Sequence, residues 1–217
     1  MFHKLTYVVR DMGCVPQVIE TVREHTPDEF RRANDKLDPE RNGTVPAPTL
    51  MIRPRAKITD RLDVVSPSWP FLTVNERLLQ FLQRVPSDPW RILPTRAIKK
   101  GVSYSYWMAI IDTRRAEYVD YPASKFWIEY DGSDRVDISI SGVDEYRRIM
   151  AKNEPYRYDR VVIGARQFVL ETGIIKHDIF RLPSFGLAQY IVSERFREEA
   201  EKAKFTNMGF EPIESAV

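Results

Sequence analysis

Three histidines, one cysteine and 31 carboxylates carry whatever acid–base, nucleophilic or metal chemistry this chain offers. His3, His25 and His177 are scattered, without the spacing that lets two imidazoles reach one metal ion. His177-Asp178 has the form of the dipeptide in metal phosphohydrolases, but that site needs further His and Asp ligands, and two other histidines fall short of it. A local hydrogen bond is the simpler reading. Cys14, in Asp11-Met12-Gly13-Cys14, has no base near it in sequence and reads as a bystander thiol. Asp131/Asp134 suits a turn and Asp144/Glu145 a helix start, so nothing selects the pair a two-carboxylate hydrolase requires. Nucleophile elbow, P-loop and GxGxxG are all absent from the sequence. These residues predict no catalytic residue, no metal site and no cofactor.

Binding chemistry is better represented. Arg53, Arg55 and Lys57 alternate, so on a strand they would share one face. Tyr156, Tyr158 and Arg160, with Arg157 between the tyrosines, mix aromatic and cationic groups that suit stacking on bases or gripping a protein. The plainer reading of both patches is a strand edge protected by charge. Trp69, between Ser68 and Pro70, is the tryptophan best placed in a loop to act as a surface anchor; Trp90, Trp107 and Trp127 suit a core. Asp131, Asp134, Asp137 and Asp144 form an acidic stretch. The partner-binding residues expected from sequence are therefore Arg53, Arg55, Trp69, Asp131, Asp134, Tyr156, Tyr158 and Arg160.

A chain of 217 residues can bury a core without disulfides, and its single cysteine excludes an internal disulfide framework. A net charge of +2 argues against a nucleic-acid coat and against an acidic DNA mimic. The opening residues, with Lys4, Arg10 and Asp11 around a short apolar run, do not read as a signal peptide. The apolar uncharged stretch 101–111 is about half of a spanning helix, and the uncharged stretches 64–75 and 182–193 are scarcely longer. The expected location is the cytoplasm, with no membrane partner.

The elements that must position these groups are marked by an internal echo. Residues 72–94 align without a gap on 190–212, at a shift of 118 positions: Val74, Glu76, Arg77 and Pro94 fall on Val192, Glu194, Arg195 and Pro212. Upstream, Asp60 falls on Asp178. Each copy reads as strand, N-cap (Asn75 or Ser193), helix, then an edge or terminal strand ending at the proline. The helical stripes are Leu78, Leu82, Val85 and Phe196, Ala200, Ala203. Elsewhere the spacing predicts a strand through Leu5, Tyr7 and Val9, a helix within 16–32, and an exposed proline-rich connector over 38–54. It predicts strands at 104–111, 117–121, 161–164 and 168–170, a hairpin over 125–140 and a short helix over 143–152. The fold class is α+β, with mixed or antiparallel sheets and a few capped helices in two related halves. The chain divides into 1–59 and 60–217, or forms one continuous domain.

These residues carry a family resemblance. Asp178, Phe180-Arg181, Ile191-Val192-Ser193-Glu194-Arg195-Phe196 and Gly209-Phe210-Glu211-Pro212 resemble the closing signature of a bacterial toxin-immunity family named after a myxobacterial immunity protein. Asn75-Glu76-Arg77-Leu78, Ile92-Leu93-Pro94, Tyr106-Trp107 through Ile111-Asp112, and Tyr118–Asp120 resemble its first half, so the likeness spans about 60–214. It implies a non-catalytic protein that binds and blocks a cognate toxin domain, delivered by a neighbouring cell or made by the same one; with no export signal read at the start of the sequence, the toxin is expected to act in the cytoplasm. Two rivals stand beside it: a small carboxylate- or metal-dependent hydrolase, and a nucleic-acid-binding module for which no reader motif is present. The sequence leaves a homo-oligomer open.

Overall fold

Runs of β-branched and aromatic residues separated by turn residues favour strands, and strands dominate the computed structural model. It describes residues 1–6, 8, 12, 17–22, 49–63, 71–130, 134–151, 161–183 and 190–213. The order is β1 (Phe2–Thr6), β2 (Val18–Val22), β3 (Thr49–Ile52), β4 (Arg61–Leu62), β5 (Leu72–Val74), α1 (Glu76–Leu82), β6 (Trp90–Lys99) and β7 (Val102–Ile111). A 3-10 turn (Ala116–Tyr118) leads into β8 (Val119–Tyr130), β9 (Val136–Ile138), α2 (Val143–Ala151) and β10 (Val161–Leu170). A second 3-10 turn (Thr172–Ile174) precedes β11 (Ile179–Arg181), β12 (Tyr190–Ser193), α3 (Glu194–Lys202) and β13 (Gly209–Ile213).

Three sheets result, with strand orders β2-β3-β6-β7-β5-β4, β11-β12-β1-β13 and β10-β8-β9. The β3–β6 pair is parallel and the other paired strands are antiparallel. This is the α+β class with mixed and antiparallel sheets. The four-stranded sheet is a wall shared by two cores. Ile179, Tyr190, Val192 and Leu5 face a core built with β5, β7, α1 and α3. Phe180 and Ile191 face a second core built with β8, β10 and Tyr146 of α2. Residues 190–192 are all buried because successive side chains enter opposite cores.

The echo is a repeated geometry. Arg61 pairs with Val74 as Ile179 pairs with Val192, and Leu62 with Thr73 as Phe180 with Ile191. Both helices start as the sequence indicates, with Asn75 Oδ1 accepting from the Leu78 amide at 3.0 Å and Ser193 Oγ from the Phe196 amide at 3.1 Å. The central strand of the second unit comes from the other end of the chain. In the first unit β7 lies between β5 and β6, with Trp107 opposite both Val74 and Pro94. In the second, β1 lies between β12 and β13, with His3 opposite both Val192 and Pro212. The helices meet in the shared core, where Phe81 packs edge-on against Phe196 at 5.1 Å.

Several sequence expectations change. Within the expected 16–32 helix, Val18–Val22 is a strand on β3, as its Val, Ile and Thr content favours. Within 38–54, expected as an exposed loop or extended connector, Thr49–Ile52 is strand β3, with Leu50 and Ile52 buried. Arg53 and Arg55 follow β3 in a turn closed by the Ala56 amide on the Arg53 carbonyl at 3.0 Å, so Arg53, Arg55 and Lys57 do not alternate along a strand. Pro94 lies in an inner strand, tolerated because β3 covers β6 only at Ala97 and Ile98. Ala203 is the exposed C-cap of α3 and leaves the buried stripe, since Lys204 turns left-handed at φ 54°. The 161–164 and 168–170 strands are one bulged strand, β10.

Candidate functional site

The pleat of β8 sends Phe126 and Ile128 into the second core and Lys125, Trp127 and Glu129 to the other face. Trp127 lies opposite Gly164 of β10 and Asp137 of β9. A Cβ on Gly164 would fall 2.0 Å from Trp127 Cζ2, so the indole rests on bare glycine backbone. Arg135 stacks its guanidinium 4.1 Å from the centre of the Trp127 rings and donates to Glu129 at 3.1 Å. Arg166 donates to Asp137 at 2.9 Å across the same face. These ion pairs are exposed and contribute little stability, but they order the side chains around the indole.

Large apolar side chains surface at one end of this sheet. Val162, opposite Glu129, is 38% exposed; Tyr130 and Val136, at the end of the inner face, are 54% and 56% exposed. An aromatic ring flanked by arginines, with Val162 exposed on the same face, has the composition of a protein-binding hot spot.

Of the residues expected from sequence, Asp134 is exposed beside Arg135, on the return from β8 to β9. Asp131, Tyr156, Tyr158 and Arg160 lie outside the described residues; the strand ends they adjoin in sequence, Tyr130 and Val161, are register partners. Trp69 also lies outside them. Arg55 is exposed and Arg53 half-buried, both at the end of the six-stranded sheet. Trp127 suits a core by residue type, yet the alternation of Lys125, Trp127 and Glu129 against Phe126 and Ile128 assigns it to the polar face.

The remaining titratable clusters bind the structure together. Asp88 receives a two-pronged contact from Arg115, which also donates to Glu117 at 3.1 Å. The contact with Asp88 raises the Arg115 pKa further above its ordinary value. His177 Nδ1 lies 2.8 Å from the Tyr118 hydroxyl and its Nε2 3.8 Å from Asp88. The hydrogen bond expected between His177 and its neighbour is thus made elsewhere, while Asp178 binds Ser193 and Arg195. His3 Nε2 lies 2.5 Å from Glu194, beside an open cavity of about 330 Å³ that also meets Arg197 and Phe210. Among the described residues no three His, Cys, Asp or Glu side chains converge as metal ligands.

The α+β scaffold, with its repeated strand geometry, carries an ordered aromatic and charged sheet face. The chain belongs to the immunity protein family Imm11, whose profile matches residues 14–215. It is thus an immunity protein, as the Ser193-Glu194-Arg195-Phe196 signature implies. Comparison with curated proteins finds no match.

Proposed function

We propose that this immunity protein neutralises its cognate toxin domain by stoichiometric binding, without turnover, and that the outer face of β8, β9 and β10 makes the contact. The observation that carries the reading is the Trp127 indole, held between Gly164 and Arg135 on a solvent-facing sheet of a member of this family. A ring already fixed in place loses little entropy on binding. Asp134, exposed beside Arg135, is taken as part of this contact, and Asp131, Tyr156, Tyr158 and Arg160 are kept as partner-binding residues on their sequence chemistry alone. Trp69 is a second anchor on its sequence setting alone. No helix among the described residues is long and apolar enough to cross a membrane, and we place the protein in the cytoplasm, against a toxin acting there. We treat the chain as one unit, because β1 is the inner strand between β12 and β13.

The test is co-expression with the product of the adjacent gene, scored by survival and co-purification. Rescue with a one-to-one complex supports the reading, and Trp127→Ala should weaken that complex by about 30-fold or more, a hot-spot loss of roughly 2 kcal/mol. Rescue without a complex, at catalytic amounts of this chain, would favour an enzyme instead.

A further inference from the structure

A second surface is charged rather than aromatic, and different chemistry builds it. Strand β3 runs parallel to β6, with Leu50 opposite Ala97 and Met51 opposite Ile98. The turn that follows β3, with Arg53 and Arg55, therefore leaves the six-stranded sheet at the end where β6 and β7 join. That junction is a two-residue hairpin turn: Lys99 pairs with Val102, and Lys100 and Gly101 both take positive φ, 50° and 80°. This is the signature of a tight turn whose twist matches its strands, so the lysines are presented on a rigid support. Lys100, Arg55, Lys57 and Arg96 are exposed, and Val102 adds an apolar side chain at the tip.

The charge is one-sided. Residues 49–59 and 89–111 contain no aspartate or glutamate. Arg55, Arg96, Lys99 and Lys100 make no ion pair among the described residues, and Arg53 Nε is buried without an acceptor among them. On the neighbouring strand, Glu20 is the register partner of Met51. Arg55, Arg96, Lys99 and Lys100, without ion pairs among the described residues, create a local positive field on a chain whose net charge is only +2.

We propose that this basic end captures an acidic surface of the toxin, steering the encounter that the Trp127 face then holds. The proposal rests on the immunity reading and adds the charge of the partner: a toxin surface rich in carboxylates. A basic nuclease-like surface would be repelled here. Steering acts on the association rate and is screened by salt, whereas a buried aromatic anchor acts on dissociation. The two surfaces therefore have separable kinetic signatures.

The experiment measures association of the inactivated product of the adjacent gene with the full chain, at about 20 and about 200 mM salt. The triple variant R55E/K99E/K100E should associate about ten-fold or more slowly at low salt, and its rate should no longer fall as salt rises. The milder K99Q/K100Q, with an unchanged thermal melt, should show part of the loss. Trp127→Ala should keep the wild-type salt slope and dissociate faster. A folded triple variant with unchanged association and salt slope overturns the inference, and the complex it still forms leaves the immunity reading standing. If the wild type forms no complex, the immunity reading fails and this inference with it. Salt-dependent binding of a random-sequence DNA duplex, lost in the triple variant while toxin association is unchanged, would make this end a nucleic-acid surface and also overturn the proposal.

Discussion

Asp178 accepts the Ser193 hydroxyl at 2.5 Å, and its carbonyl takes the Ser193 amide at 2.8 Å. Asp60 makes the same two bonds to Asn75, at 2.8 and 2.9 Å. Each helix N-cap is thus braced by an aspartate fifteen residues upstream, just before the strand that pairs with its own. The copies differ in what the second carboxylate oxygen holds: that of Asp178 meets the exposed Arg195 guanidinium at 2.9 Å. Asp60 Oδ2 also accepts the Thr206 amide and hydroxyl, both at 2.8 Å, tying the first unit to the turn after α3. Asp60→Ala should therefore destabilise by about 3 kcal/mol, against about 1 kcal/mol for Asp178→Ala. Urea unfolding of the two variants decides it; equal losses would mean that the Thr206 contacts add nothing.

That turn holds a second buried polar knot. Asn207 is fully buried at φ 62°, and its amide nitrogen donates to Gln17 Oε1 at 3.0 Å and to the Arg61 carbonyl at 2.8 Å. Its Oδ1 accepts the Val8 amide at 2.9 Å. Asn207→Ala would orphan these groups and place a Cβ residue in the left-handed region without local support. A loss of roughly 3 kcal/mol or more is expected, with Asn207→Gly milder by about 1 kcal/mol because glycine adopts that φ freely. If the two variants unfold at the same denaturant concentration, backbone strain contributes nothing here.

What the sequence made legible was local. Asn75 and Ser193 are caps because a side-chain oxygen satisfies an amide three residues on, and both residues lie inside the matching window. The 125–140 hairpin was visible in its alternation. Partnership between distant strands was not: nothing in Phe2–Thr6 indicates that β1 fills the place β7 takes in the first unit, because that depends on which strand is free to pair. The turn at Arg53–Ala56 is not distinguishable from a strand by its cations, because alternating cations look alike in either state. Trp127 was misassigned for a related reason. Tryptophan is usually buried, and only the parity of β8, fixed by Phe126 and Ile128, turns it outward.

Glu194 gives a pH prediction. Hydrogen bonds from Arg197 and then His3 hold its carboxyl down at about 2, against an ordinary 4.5. A carboxylate whose folded pKa is depressed contributes stability that is complete above about 4.5 and disappears as pH falls through about 2. Glu194→Gln removes that contribution. The melting temperatures of wild type and variant should therefore differ at neutral pH and converge as the solution is acidified across this window. A gap that stays constant down to the bottom of the window would show that the Arg197 and His3 contacts do not favour the ionised form.

Gly164 offers a test of the Trp127 face that leaves the tryptophan in the chain. An alanine there would place its Cβ 2.0 Å from Trp127 Cζ2 and 2.6 Å from Nε1, so the indole must leave its seat. Moving it also breaks the stack with Arg135, whose remaining partner is Glu129. The side chain faces solvent, so the displaced ring can turn outward with a modest cost in stability, about 1 kcal/mol. Toxin affinity should fall by about ten-fold or more, because the ring is now mobile and must be ordered on binding. Arg135→Ala, which leaves the glycine seat intact, should lose less. Isothermal titration of the three proteins against the same toxin domain gives the ranking. Affinity unchanged in Gly164→Ala, with a tryptophan fluorescence shift proving that the indole has moved, would remove this face from the contact.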